Sequence, residues 1–488
     1  MEVTIKTKIK ELLNHGLIYG LTSSLQSILG FILLPILTVY YTPKEFGIYS
    51  IILLVSALAS ALFYFGASSS LARFYFDEDS DLYRKKIASS ALFVTVAGAS
   101  LLISVSIIFS NYLSFLIFDS TIYYLHIVLA CSGAAFGFLL NLMTLLLRYE
   151  KRSGLFMKVI LFGVLLNFGI TYVLLSTFSY GILAPLYGTL LSSMLCFFLI
   201  LANKLSDFTI KLQSSHIIKI LSFGLQSSVA GFLFYLLSYL DRLILKELVP
   251  MSDVGIYSLG YRIALVINVL VIVPFNLIWA PMRMEYASNN NNQEFTVKVF
   301  SYLSIIGFIL ISISILFAED LMSLVFVNKE FSSASKVFPV VMLALLIYGF
   351  QNIVDFGIYL HKKVFFYSII ALIGIAFNVI MNYWLIPHFG YIASPYIILL
   401  TYLLTTLLIY LVSSYYHKIK LEWTRIIIPL FVVVVLYYII IFVDTSNLIT
   451  FAPKIVIIVI LLLSILFFWF NKHEKIVFKN FIKKSFKN

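Results

Sequence analysis

Charged residues are scarce in this sequence. They make up 11% of its 488 residues, against about 25% in an ordinary soluble domain. Hydrophobic residues make up 61%, and the mean hydropathy is +1.03. So few polar side chains cannot cover a water-exposed surface, which excludes a soluble enzyme or binding domain. Apolar stretches of about 20 residues, the length of a membrane-crossing helix, recur along nearly the whole chain and predict an all-α polytopic membrane protein.

Cysteine and catalytic motifs are also nearly absent. Cys131 and Cys196 are the only cysteines, each lies inside an apolar run, and two isolated thiols exclude a disulfide framework or a zinc site. The sequence has no phosphate-binding loop of the ATPase type, no Gly-x-Ser-x-Gly elbow and no His-Glu-x-x-His motif. We therefore expect neither an enzyme nor a cofactor. Any driving force must come from an ion gradient, the membrane potential or the substrate concentration.

The apolar segments predict about fourteen spans joined by short loops. They run 14–37, 46–69, 88–110, 122–146, 155–177, 181–202, 217–247, 254–278, 297–318, 337–359, 365–386, 391–414, 425–443 and 453–471. With the N-terminus in the cytoplasm, 27 of the 34 basic residues fall on the cytoplasmic side, as expected for a membrane protein with both termini there. These loops account for the formal net charge of +12, so no nucleic-acid partner is expected.

Two short motifs recur along the chain. Residues 45–50, EFGIYS, match residues 253–258, DVGIYS, at an offset of 208, and Gly16 matches Gly224 at the same offset. FSYGILAP at 178–185 resembles HFGYIASP at 388–395. Six spans separate the copies, so both keep one orientation and the halves are parallel repeats. We therefore expect an N-lobe at 1–210, a C-lobe at 211–420, a terminal hairpin at 421–471 and a basic cytoplasmic tail at 472–488.

Ionisable side chains inside the spans are few, and such groups mark substrate or ion pathways unless they form structural pairs. Asp241 and Arg242 fall late in the seventh span, Arg262 lies near the midplane of the eighth, and Asp355 falls late in the tenth. The first two residues also fit a structural ion pair, and Arg262 a partner for a carboxylate. Alternatively they line a cationic cavity, because a guanidinium can donate two hydrogen bonds to a phosphate.

Further candidates lie along the first and seventh spans and at the cytoplasmic ends. Gln26 and Gln226 suit either interhelical hydrogen bonds or a path for sugar hydroxyls. Arg73, Arg148 and Arg283 end spans on the predicted cytoplasmic side. They fit either positive-inside anchors or a group that gathers an anionic head group at the mouth of a cavity.

The residues around the Asp-Arg pair carry a family resemblance. FGLQSSVAGFLFYLLSYLDRLILKELVPMSDVGIYSLGYR, residues 223–262, resembles the centre of the Wzx-type polysaccharide repeat-unit (O-antigen) flippases of the MOP exporter superfamily. NVIMNYWLIPHFGYIASP at 378–395 is similar to the signature of that family between spans eleven and twelve, although Ala393-Ser394-Pro395 departs from the usual Gly-Ala-Ala. YYTPKEFGIYS and SLARFYFDEDSDLYRKK are similar to its first two loops. The resemblance covers roughly residues 10–420.

The resemblance implies a flippase in the cytoplasmic (inner) membrane. Two six-helix lobes around a central cavity would carry an undecaprenyl-pyrophosphate-linked oligosaccharide to the outer leaflet by alternating access, for O-antigen and lipopolysaccharide, capsule or exopolysaccharide synthesis. The implied partners are that lipid-linked oligosaccharide, the phospholipid bilayer, a polysaccharide polymerase, a chain-length regulator and a coupling ion, H⁺ or Na⁺. By position, Asp241 and Arg242 occupy the Asp-Arg pair of the family, and Arg262 faces the cavity.

Other functions remain open at this stage. A drug–cation antiporter of the MATE type usually has twelve spans and an acidic cavity. A lipid II flippase has fourteen spans but usually carries more arginines in its first spans, where this chain offers only His15 and Gln26 as polar candidates. A membrane-embedded polysaccharide polymerase or acyltransferase is a more distant alternative, because a polymerase usually has a large outer loop. Glycosyltransferase genes beside this one would favour the repeat-unit flippase.

Overall fold

A computed structural model describes residues 2–209, 212–276, 279, 293–361, 363, 365–417 and the single positions 430, 431, 433, 435 and 454. Throughout these residues the regular structure is helical, without a β-strand, which confirms the all-α prediction. The predicted spans 425–443 and 453–471 lie outside the described residues, apart from those single positions. The tail 472–488 and Arg283 also lie outside them.

The chain forms two compact units, of which the first comprises Met1–Leu259 and Tyr367–Ser394. Its leading helices are α1 Glu2–Tyr40, α2 Pro43–Phe63, α3 Ala67–Phe74, α4 Asp81–Phe118, α5 Tyr124–Tyr149, α6 Ser153–Ser176, α7 Leu183–Lys204, α8 Ser214–Leu248 and α9 Met251–Ala264. The end of α9 belongs to the second unit. Helix α5 packs against α4 and α7, and α8 packs against α2, α3 and α4. The predicted lobes at 1–210 and 211–420 stay a prediction.

The second unit comprises Gly260–Phe366 and Pro395–Asn488. The helices that follow α9 are a π-helical segment Asn268–Ile272, α10 Gln293–Leu316, α11 Ala318–Val325, α12 Phe338–Val354, α13 Phe356–Leu360, α14 Phe365–Phe389 and α15 Ala393–Tyr416. Most of α14 belongs to the first unit. Within the second unit, α10 packs against α12.

Ten helical segments of the described chain are long and apolar enough to cross a membrane, and an eleventh qualifies if the bent pair Lys329–Lys336 and Phe338–Val354 is one span. The 52-residue segment Phe365–Tyr416 holds two predicted spans, 365–386 and 391–414. As one helix it would be about 78 Å long, more than twice the roughly 30 Å of a hydrocarbon core. The protein is therefore a multi-pass membrane protein, although the predicted total of fourteen spans is not confirmed.

Local sequence fixes where α2 begins. The backbone N–H of Thr42 donates to the Glu45 carboxylate at 2.9 Å, and the Glu45 N–H donates back to the Thr42 hydroxyl at 3.3 Å. This reciprocal capping box, with Pro43 in the first turn, satisfies backbone donors that a helix start otherwise leaves unpaired. The hydroxyl of Tyr41 donates to the Gly181 carbonyl at 2.9 Å and ties this start to the turn before α7.

Small side chains let α4 approach its neighbours closely. Its buried positions include Ala88, Ser89, Ser90, Ala91, Gly98 and Ala99. Lipid tails are as apolar as leucine, so helices in a bilayer associate through close packing and hydrogen bonds rather than through the hydrophobic effect. The Ser89 hydroxyl donates to the Lys85 carbonyl one turn earlier at 2.7 Å, so it buries no unpaired donor.

Asparagines join consecutive helices within the first unit. The Asn167 amide of α6 donates to the Thr189 hydroxyl of α7 at 3.2 Å. In α14 the Asn382 amide donates to the Asn378 side-chain oxygen at 2.9 Å, and the Ser394 hydroxyl donates to the Asn382 side-chain oxygen at 3.3 Å. Asn167 and Asn382 therefore each bond to a residue of the next helix, whereas the bond between Asn382 and Asn378 lies within α14. Ser394, where the sequence departs from the family signature, has a buried partner.

Candidate transport pathway

Asp241 and Arg242 lie near the end of α8 and are enclosed by aromatic side chains. Asp241 is 0% exposed, and one of its carboxylate oxygens accepts a hydrogen bond from the hydroxyl of Tyr257 on α9. Its Oδ1 has no hydrogen-bond partner among the described residues. Arg242 is 5% exposed, and its guanidinium carbon lies 5.1 Å from the ring centre of Tyr239 and 5.9 Å from that of Tyr257. Both charges are therefore held inside the protein.

Arg262 lies half-buried in the last turn of α9, where the span becomes irregular. The α-helix is interrupted at Leu265, and the π-helical segment Asn268–Ile272 follows. Single π-helical turns recur at functional sites because they locally disturb the helix hydrogen bonds. Along α9, Gly255, Ser258 and Arg262 follow at intervals of three and four residues and so share one face. The predicted midplane arginine thus sits beside a distortion of its own span.

Asp355 lies at a helix break rather than within a continuous helix. Its backbone N–H donates to the Gln351 carbonyl at 3.0 Å and closes α12, and α13 begins at Phe356. The side chain of Gln351 is buried and donates to the hydroxyls of Thr405 and Thr406 on α15 at 3.0 and 3.1 Å. Sequence reasoning did not single out Gln351, because its partners Thr405 and Thr406 lie more than 50 residues away in the chain.

Gln26 lies away from the Asp241 group. It lines a cavity of about 300 Å³ formed by α1, α5, α6 and α7, whose walls are mostly apolar. The polar residues in its walls include Asn167, Thr189 and Ser192. Gln226 is exposed on α8. The structure therefore brings Asp241 and Arg242 together and separates the two glutamines from them.

Arg73 belongs to a charged cluster at the predicted cytoplasmic end of α3. Its guanidinium is 2.9 Å from the Asp77 carboxylate, and the Lys219 amino group of α8 is 3.1 Å from the other Asp77 oxygen. Lys219 also donates to the Tyr83 hydroxyl at 3.2 Å and lies 4.4 Å from the Phe74 ring centre. The Lys219 hydrogen bond, helped by Arg73, holds the pKa of Asp77 below its ordinary value. The pair is therefore formed at neutral pH and weakens as the pH falls through that lowered pKa.

Arg148, the second arginine of the predicted cavity mouth, has a different neighbour from Arg73 among the described residues. Arg148 ends α5, is exposed, and holds its guanidinium 4.8 Å from the ring centre of Phe156 on α6. Arg283 lies outside the described residues. A common anion-gathering group of three arginines therefore stays a prediction.

Lys204 is a buried charge that sequence reasoning counted among the cytoplasmic loop residues. It ends α7 with its side chain 1% exposed, contacts the Glu150 carboxylate and lies 3.4 Å from that of Asp207. A cavity of about 380 Å³ adjoins this group, with Arg84 and Arg152 in its walls. Its burial was not predictable from the sequence, because a lysine at the end of a span usually reaches water.

We expect Glu150→Gln to lower the free energy of unfolding by roughly 2 kcal/mol, because it removes one partner of a buried ammonium. The loss is smaller than for an isolated pair, since Asp207 remains. Lys204→Met removes the buried charge itself and should cost less. Thermal unfolding of the detergent-purified protein measures both, with Lys158→Gln, at an exposed lysine of α6, as control. A Glu150→Gln protein as stable as the wild type would contradict the role of this pair.

The sequence matches the model of a family described as polysaccharide biosynthesis protein over residues 36–335, more than half of the chain. No curated protein matches it. Its fold is similar to the lipid II flippase MurJ in an inward closed conformation, with a TM-score of 0.73 and 15% identity over 97% of this chain and 100% of that one. It is also similar to an inward-facing multidrug resistance MATE transporter of the MOP superfamily, with a TM-score of 0.63 and 16% identity over 80% and 94% of the two chains.

An outward-facing multidrug resistance MATE transporter of the MOP superfamily matches as well, with a TM-score of 0.58 and 17% identity over 83% of this chain and 95% of that one. At these identities the similarity establishes the fold shared with MOP exporters. The chain is a multi-pass membrane protein with the fold of MOP exporters, and it belongs to the polysaccharide biosynthesis protein family.

Proposed function

We propose that the protein moves undecaprenyl-pyrophosphate-linked oligosaccharide repeat units from the cytoplasmic to the outer leaflet of the cytoplasmic membrane. The observation that carries this proposal is Arg262, a half-buried guanidinium beside a distorted turn of a membrane span, in a chain of the polysaccharide biosynthesis family. A guanidinium matches the geometry of a pyrophosphate. The polar head cannot cross hydrocarbon unaided, whereas the lipid tail stays in the bilayer.

The proposal also includes the orientation of the protein, its driving force and its partners. Both termini lie in the cytoplasm, the two six-helix lobes alternate their access, and a proton or sodium gradient or the membrane potential supplies the driving force. A polysaccharide polymerase and a chain-length regulator use the product at the outer face. The bias of the basic residues supports the orientation.

Deletion of the gene tests the substrate class. We expect the deletion strain to lose its surface polymer and to accumulate complete lipid-linked repeat units, measured by mass spectrometry of extracted lipids. A plasmid copy should reverse both effects. The MurJ-like fold makes lipid II the second candidate, and accumulation of lipid II with normal surface glycan would support it instead. Unchanged glycans and lipids with altered drug resistance would support an antiporter.

A further inference from the structure

The two copies of the Gly-Ile-Tyr-Ser motif touch each other within the first unit. A Cβ atom added at Gly47 would overlap the Met251 carbonyl oxygen and lie 3.1 Å from the Gly255 nitrogen. A Cβ atom added at Gly255 would overlap the Pro43 carbonyl oxygen and lie 2.9 Å from the Gly47 nitrogen. Pro43 and Met251 are the first residues of α2 and α9 and are separated by the same 208 positions. Each copy therefore presents the same backbone atoms to the other.

This glycine contact, formed by Gly47 and Gly255, joins two helix starts mainly through backbone atoms, with the Met251 side chain beside them. Helices usually pack by inserting side-chain ridges into grooves, and separating them disturbs many contacts. Here backbone meets backbone, because neither glycine carries a Cβ atom. Such a surface closes tightly, yet it separates without a change of rotamer at its centre.

One turn further into the membrane, both helices bury a serine. Ser50 and Ser258 follow the two glycines by three residues and so lie on the same helix faces. They are 5% and 1% exposed, and neither hydroxyl has a hydrogen-bond partner among the described residues. A buried unpaired hydroxyl is unfavourable, and water entering between the helices would relieve it. On α9 the next residue of this face is Arg262.

We propose that the glycine contact is the outer gate of the transport path and that its separation opens the way to Ser50 and Ser258. The predicted orientation places this end of α2 outside. The gate rests on the proposed transport function, but its opening is measurable whatever the cargo. The motif repeats because both sides of the gate need the same shape.

The opposite end of α2 supplies a comparison within the same unit. There a Cβ atom at Gly224 of α8 would overlap the Phe65 carbonyl oxygen, and the Ser70 hydroxyl of α3 donates to the Ile220 carbonyl at 2.7 Å. The Lys219 and Asp77 ion pair lies beside it. Gly224→Ala therefore disturbs a backbone contact of the same kind at the predicted cytoplasmic end.

Thiol labelling measures the gate directly. Ser50→Cys and Ser258→Cys are placed singly in the full-length protein after Cys131→Ala and Cys196→Ala. Right-side-out membrane vesicles are treated with a membrane-impermeant maleimide, and the labelling rate is compared with and without Gly47→Ala or Gly255→Ala. Gly231→Ala, at a glycine of α8 with no atom within 4 Å of the added methyl, is the matched control.

We expect Gly47→Ala and Gly255→Ala each to raise the labelling rate about fivefold or more, the factor that a bias of roughly 1 kcal/mol produces. Gly231→Ala should leave labelling from the outside at the parent rate, and Gly224→Ala should not raise it. Two reciprocal variants are used so that one misfolded protein, recognised by aggregation on gel filtration, does not decide the result.

An unchanged labelling rate in the folded Gly47→Ala and Gly255→Ala proteins overturns the gate. So does an equal increase with Gly224→Ala, because that result describes general loosening. These outcomes do not test the substrate class. The lipid analysis of the deletion strain tests it. If the glycine variants label faster but the deletion strain accumulates no lipid-linked repeat units, the gate is supported and the proposed cargo is wrong.

Discussion

We expect Arg262→Ala to lower surface polysaccharide roughly ten- to hundredfold while the protein still reaches the membrane. A hydrogen bond to a charged group contributes about 1.5–3 kcal/mol, which corresponds to that range if Arg262 holds the pyrophosphate during transport. Arg262→Lys keeps the charge but loses the planar fork, so an intermediate level of polymer should result. The measurement is polymer per cell in the deletion strain complemented with each variant at equal membrane abundance.

The control for charge alone is Lys329→Ala. Lys329 is exposed in the short 3₁₀ helix before α12, and its removal should leave the polymer at the wild-type level. Accumulated lipid-linked repeat units should rise in the Arg262→Ala strain in proportion to the lost polymer. Normal polymer in that strain would remove Arg262 from the pathway, whereas a polymer loss that matches a loss of protein from the membrane would show a folding role.

The helices could be predicted from the sequence because their signal is repeated over some twenty residues each. The described part of every predicted span from 14–37 to 391–414 is largely helical, although 46–69 crosses the turn between α2 and α3 and 337–359 crosses the break at Asp355. The start of α2 was predictable from a shorter signal, since Thr42, Pro43 and Glu45 form a local capping pattern. The repeat of Gly47 and Gly255 was visible, but nothing in one sequence says that two copies of a motif meet.

The remaining differences arise from contacts between distant residues. Lys204 is buried because Glu150 and Asp207 converge on it, and Gln351 is buried because two threonines of α15 face it. No local sequence pattern indicates that residues so far apart in the chain come into contact. The break at Asp355 was hidden for another reason: the sequence on both sides is apolar and has no proline to mark a bend.

The second large effect concerns the buried charges of α8. We expect Arg242→Ala to lower the free energy of unfolding by about 3–5 kcal/mol, because it leaves the Asp241 carboxylate in an apolar setting without the positive charge that acts on it. Tyr257→Phe removes the hydrogen bond to that carboxylate and should cost about 1–3 kcal/mol. Thermal unfolding in detergent, with Tyr235→Phe on the exposed part of α8 as control, measures both.

The double variant Asp241→Leu with Arg242→Met separates stability from transport. Buried ion pairs are often replaced by apolar residues of similar size without loss of stability, so this protein should unfold near the wild-type temperature. We expect its polymer export to stay at least about tenfold below the wild type. Burying a charge inside a span has a high desolvation cost, so such charges usually have a role in transport. Normal export by the stable double variant would assign Asp241 and Arg242 to the structure alone. Low export would place them, with Arg262, among the groups that handle the charged cargo or its coupling ion.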